Sequence, residues 1–143
     1  MKKAKAVYEF LPLYNRHLFY ANDIPAAVKL IKSYIDDKVY DLSLITEMTR
    51  AHGFVAPIWD KKDVNVLMAL LVYVDDKSDF GTITHEATHV TSFIFDYVGQ
   101  DLDAINDEAA AYLTGYVAQR FMENIRGAKP SIDAPLKKLK RTK

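Results

Sequence analysis

His85 and His89 stand four residues apart with Glu86 between them, in the stretch TITHEATHVTSF at residues 82–93. On a helix that spacing is about one turn, so both imidazoles leave the same face. Two ring nitrogens can then converge on one cation at about 2.0–2.1 Å. Glu86 lies roughly 100° round the helix from His85. That is off the line of the two ligands but near enough to touch a water on the ion. His-Glu-x-x-His on a helix is the pattern of zinc hydrolases. The same letters also occur as two histidines and a glutamate on the wet side of a helix, and at this point both readings stand.

A catalytic zinc takes three protein ligands and keeps one position open. No histidine follows His89, so the third ligand falls to a carboxylate, and LDAINDEAAAYLTGYVAQRF supplies Glu108. Glu108 falls near the first turn of a second helix, where a carboxylate faces the positive end of the helix dipole. Along one face from Glu108 come Ala111, Tyr112, Gly115 and Ala118. Mostly small residues there predict a close approach of the two helices. Gly115 costs about 1 kcal/mol against alanine in a helix interior, which a packing role would offset. The plainer alternative is a solvated first-turn carboxylate followed by alanines that simply favour helix.

Zinc at such a site would lower the pKa of its water to about 7 and polarise a carbonyl. Glu86 would accept the proton of the attacking water and return it to the leaving amine. A second donor to the developing oxyanion is usual, and Tyr112, Tyr116, His52 and His17 are the candidates. Tyr112 is singled out because it sits one turn from Glu108 on the same face. Against that stands the ordinary use of such a tyrosine, a ring packed in the core with its hydroxyl at the rim.

The elements that must position these groups can be read from periodicity. KAVYEFLPLY and RHLFYA are short, aromatic and β-rich, with Pro12 and Asn15 at a turn, which predicts a hairpin. Asp23 is an N-cap and Pro25 lies just inside a helix whose apolar residues recur to Ile35, ending near Lys38. DLSLITEM is ambiguous between strand and helical turn. GFVAPIW reads as extended, since Pro57 disfavours helix at Ala56. Residues 64–74, VNVLMALLVYV, form an apolar strand central in a sheet. Either of these two strands could bind an extended peptide by edge addition. Helical spacing then runs from Thr82 to Val98, stopped by Gly99, and again from about Ile105 to Ile125. Strands first and helices last predict an α+β domain. It spans residues 1–126, followed by a basic, flexible tail at 127–143.

The 143 residues suit one domain. With no cysteine, disulfides, thiolate zinc sites and cysteine nucleophiles are excluded, so any transition-metal site must use histidine and carboxylate. Lysine plus arginine equals aspartate plus glutamate, 19 each, which argues against a protein built wholly around nucleic acid or a membrane. The tail KKLKRTK offers only a weak nucleic-acid possibility. The basic N-terminus lacks an apolar h-region, so the expectation is a cytoplasmic protein with no membrane span.

HEATH followed nineteen residues later by the glutamate of AINDEAAAYLTG resembles the gluzincin metallopeptidases, over roughly residues 64–121. The small size resembles the minigluzincin variety, and the helix pair is similar to that of short proteins encoded in phage genomes. The resemblance implies a small zincin-like domain in which a mainly antiparallel sheet with one helix precedes the two site helices. It also implies Zn2+ held by His85, His89 and Glu108, with Glu86 as general base, and a peptide or protein substrate. For a phage-encoded chain the setting would be the host cytoplasm. The sequence departs from the thermolysin-like pattern at three points. Asp107 intervenes between Asn106 and Glu108, Tyr112 stands where an aspartate partners a histidine, and no downstream histidine is present. These departures keep open a catalytically silent zinc-binding protein, or a phage structural or host-interaction protein on the same scaffold.

Overall fold

The computed structural model describes residues 3–101 and 107–129. The expected first residues of the second site helix, 105 and 106, and the chain from 130 onward lie outside these.

Strands β1 (Ala6–Leu11) and β2 (Arg16–Ala21) form the expected hairpin, with Ala6 opposite Ala21 and Leu11 opposite Arg16. Asn15 turns the chain at φ 51°, its N–H bonded to the Pro12 carbonyl at 3.2 Å. Asparagine is one of the few residues besides glycine that enters this left-handed region readily. Helix α1 (Ile24–Tyr34) is capped by Asp23, whose carboxylate accepts from the Ala26 N–H at 2.9 Å. It stops four residues before Lys38. Ile35 turns to an extended conformation that buries it, and Asp36 collects the N–H groups of Lys38, Val39 and Tyr40. The ambiguous segment resolves into strand β3 (Tyr40–Asp41) and the short helix α2 (Ser43–Glu47).

Strand β4 (Gly53–Asp60) is followed by β5 (Leu67–Val74). β5 begins three residues later than its apolar run, because Asp63 takes the N–H groups of Asn65 and Val66 in a turn. Helix α3 (Phe80–Val98) carries the histidine pair. It starts two residues before Thr82, where Asp79 accepts from the Thr82 N–H at 3.1 Å. Gly99, at φ 72°, ends it as expected. Helix α4 (Glu108–Asn124) completes the fold.

The sheet order is β1-β2-β5-β4-β3. Three pairings are antiparallel and one, β2 with β5, is parallel. The protein is an α+β fold with a mainly antiparallel, five-stranded sheet. Two helices precede the site rather than the one expected. β5 is central, so it offers no edge to a peptide.

Each face of the sheet carries a helical layer. Phe19, Ala21, Phe54, Ala56, Ile58, Leu71 and Tyr73 meet Ala27 and Ile31 of α1 and Ile45 of α2. Leu18, Tyr20, Leu70, Val72 and Val74 meet Ile83, Val90 and Ile94 of α3 and Val117 and Phe121 of α4. Alternate strand residues thus serve opposite layers, as the pleat requires. Three polar clusters hold α4 and the chain just beyond it. The Thr91 and Thr114 hydroxyls lie 2.7 Å apart. Glu9 accepts from Tyr116 at 2.7 Å, from Arg120 at 2.9 Å and from Tyr20 at 2.8 Å. Arg126 donates to the Asp75 and Ser78 carbonyls at 2.8 and 3.0 Å. Among the described residues, no helix is long and apolar enough to cross a membrane.

Candidate metal centre

α3 buries Ile83, Ala87, Val90, Ile94 and Phe95, spaced to give one continuous apolar stripe. His85 and His89 therefore emerge on the opposite, exposed side, one turn apart. Their Nε2 atoms are 3.1 Å apart, with the rings crossed at 82°. Two nitrogens bound to one tetrahedral zinc at 2.0–2.1 Å would be roughly 3.3 Å apart. The pair is thus set close to the spacing an ion needs, although the same contact is a ring-to-ring hydrogen bond when one nitrogen carries a proton. A Glu86 carboxylate oxygen joins them, the three ligand atoms lying within 4.8 Å of one another.

Glu86 differs from the histidines in being only 6% exposed. It points toward β4, where Gly53 leaves room for it. A Cβ on Gly53 would stand 3.3 Å from Glu86 Oε2 and 2.9 Å from Thr82 Cγ2. Burial pushes the Glu86 carboxyl above its usual 4.5, and the neighbouring His85 and His89 oppose that push only in part. A carboxyl raised in this way holds a proton more readily than a free one, as a general base must. Gly53 was not foreseen as a site residue. Its signal in the sequence is an isolated glycine opening a strand, which marks a close approach.

β4 runs beside α3, and among the described residues one side of its first half has no partner strand. β3 covers only Trp59 and Asp60, and β5 takes the other side. The Asp75 N–H bonds to the His52 carbonyl at 2.9 Å. Antiparallel alternation then sends the backbone groups of Phe54, Ala56 and Ile58 toward β5 and those of Gly53, Val55 and Pro57 outward. Pro57, which has no N–H, sits where no partner strand needs one. GFVAPIW is therefore an available edge next to the histidine pair.

Glu108 does not join the group. It is the first residue of α4 and is exposed. Val117, fully buried, is nine residues on, two and a half turns, so Glu108 leaves the outward side of the helix as it stands. The expected close packing through Ala111, Tyr112 and Gly115 does not occur. All three are exposed, and a Cβ on Gly115 would meet nothing within 4 Å. Of the expected face only Ala118 is buried, and α4 meets the core through it together with Leu113, Val117 and Phe121, whose large apolar side chains gain most by burial.

The oxyanion-donor candidates are dispersed. His17 bonds Tyr8 at 2.6 Å beside Phe10, at the far edge of the sheet. His52 bonds Asp75 at 2.7 Å, and Tyr116 is engaged with Glu9. Tyr112 is 75% exposed, on the outward side with Glu108.

Two adjoining hollows of about 500 and 510 Å³ extend from the pair along the C-terminal half of α3. The first begins at His89, the second reaches Trp59 and Val64, and Phe93 and Asp96 line both. The chain matches no protein-family model, no curated protein and no solved structure.

Proposed function

We propose that the chain is a zinc-dependent hydrolase, most simply a small metallopeptidase of the gluzincin kind, with His85 and His89 as ligands and Glu86 as general base. The observation that carries this reading is the 3.1 Å separation of the two Nε2 atoms, with the buried Glu86 carboxylate beside them. A zinc ion there would supply an acidified water and an electrophile for a carbonyl. Glu86, shielded by β4, would take the water's proton and pass it to the departing amine. The outward N–H and C=O groups of Gly53 and Val55 would hold an extended peptide alongside the pair. Glu108 would complete the ligand set only if the first turn of α4 re-formed toward His89. A cytoplasmic setting goes with this reading, in the host if the chain is phage-encoded.

A second reading has one observation in its favour, the exposure of Glu108 away from the pair. On that reading the chain binds metal without turning over substrate, as a silent or host-interaction protein. Zinc content and peptide cleavage by wild type and Glu86→Gln separate the two. Zinc in both proteins with cleavage only by wild type supports the hydrolase. Zinc in both with cleavage by neither supports the second reading, and zinc in neither removes both.

A further inference from the structure

We propose that the groove running from His89 to Trp59 is a subsite for a lysine or arginine side chain of an extended peptide. The inference rests on the hydrolase reading in that it takes this groove as part of the substrate cleft. Its walls and its charge are both of the kind a long cationic side chain needs.

The walls are aromatic. Phe93 lies between the two hollows, and Trp59 and Tyr97 line the second. Such rings cover a (CH2)n stem and attract the cation at its end. The protein already uses the rim in this way: the guanidinium of Arg16 lies 3.8 Å from the centroid of the Tyr97 ring.

The charge is negative. Asp96 faces both hollows, and Asp101 lines the first. Asp96 is in the last turn of α3, where the helix dipole is itself negative and no basic residue stands in that turn. A carboxylate there costs stability and concentrates negative potential in the groove. Among the described residues, no cationic group lies within 4.0 Å of either carboxylate. The Arg16 guanidinium on the Tyr97 ring donates to the Asn15 carbonyl at 2.7 Å.

The spacing sets the position along the peptide. Asp96 is seven residues beyond His89, about 10.5 Å along the helix. An extended peptide advances about 3.3 Å per residue. The cationic residue therefore falls roughly two to four positions from the bond held at the histidine pair.

The test uses full-length Glu86→Gln protein and fluorescent alanine octapeptides carrying one lysine, methionine or glutamate at a scanned position. Lysine should bind about two- to fivefold better than methionine at one or two adjacent positions, as an exposed charge pair allows. Asp96→Asn should erase that advantage, and Asp96→Lys should transfer it to glutamate. Equal binding of lysine and glutamate peptides, or a lysine advantage untouched by Asp96→Asn, overturns the proposal. A lysine advantage that emerges only after the lysines of residues 137–143 are changed to glutamine also overturns it, since the occupant is then the chain's own end. Cleavage assays on wild type keep the two readings apart. Cleavage with no basic preference removes this subsite alone, and the lysine pattern in binding without any cleavage removes the hydrolase alone.

Discussion

Gly53 on β4 and Glu86 on α3 are in contact only because Gly53 has no side chain. A Cβ there would come within 3.3 Å of Glu86 Oε2 and 2.9 Å of Thr82 Cγ2. The missing methyl lets the helix lie close enough to the strand for the carboxylate to be enclosed. Gly53→Ala should cost about 1–3 kcal/mol, as overpacking does, read as a lowered urea midpoint with an unchanged m-value. It should also depress cleavage more than zinc affinity, since the added methyl meets Glu86 and Thr82 and neither histidine. Thr82→Ser, which removes the nearer methyl and keeps the hydroxyl, should restore part of the stability. No recovery in the double variant would mean that the clash lies elsewhere.

Glu9 holds α4 against the hairpin, and its loss should be expensive. The carboxylate accepts from Tyr20, Tyr116 and Arg120 in a largely enclosed position. Glu9→Ala leaves three donors without their acceptor and should destabilise by on the order of 3 kcal/mol. The same network predicts an alkaline limit. Burial, the hydrogen bond to Glu9 and the charge of Glu9 push the Tyr116 hydroxyl up to about 12, against the pull of Arg120. The folded pKa is above the unfolded one, so this contribution is intact below about pH 10 and fades as pH rises toward 12. Tyr116→Phe should start less stable and lose less over that window in denaturant titrations.

How far such contacts were legible beforehand depends on their range in the chain. The hairpin, the Asp23 cap, the Gly99 stop and the outward histidine pair depend on neighbours within a turn or two, and residue types reveal them. The end of α1 was misplaced because Ile35 has helical spacing yet is buried from an extended conformation, a choice made by the core. The parallel pairing of β2 with β5 joins segments about fifty residues apart, and no local pattern encodes it. Gly53 and Gly115 show the same limit from opposite sides. One glycine is required by close packing and the other faces open space, a distinction that lies in the partner element and not in the glycine. The third-ligand question is of this kind, since it depends on which way α4 is rolled.

Asp75 should set the acid limit. Partial burial alone would raise its carboxyl. Hydrogen bonds from His52 and from the Ser78 hydroxyl and N–H outweigh that and hold it below its usual 3.8. A depressed folded pKa contributes stability that is present above the unfolded value and is lost as pH falls through the folded one. His52→Ala should therefore move the acid-unfolding midpoint to higher pH. At pH 7 it should cost less than about 1 kcal/mol, because the ring is mostly exposed. A midpoint unchanged by His52→Ala would show that Ser78 alone sustains the shift.

Zinc should act on α4 as well as on α3. The middle of α4 is fixed by Thr114, Tyr116 and Arg120, and the chain just past its end by Arg126. Among the described residues its first turn has no such polar tie: Asp107 makes no side-chain cap, Glu108 and Ala111 are exposed, and only Ala109 and Ala110 rest partly on the core. That turn is the part of the helix that can re-form at least cost. If Glu108 supplies the third ligand, zinc should raise hydrogen-exchange protection at Glu108–Ala111 as well as at His85–His89. Saturation at a hundred times Kd should add about 2.7 kcal/mol of stability. Glu108→Gln should then weaken zinc by more than the roughly 10–100-fold that loss of an outer partner costs. His89→Ala should abolish the protection in both helices together. Protection confined to α3, with zinc affinity indifferent to Glu108→Gln, would assign the remaining coordination positions to water and leave a two-histidine site. Such a site has more positions open than a catalytic zinc ordinarily keeps, and its metal should be stripped by far weaker chelation.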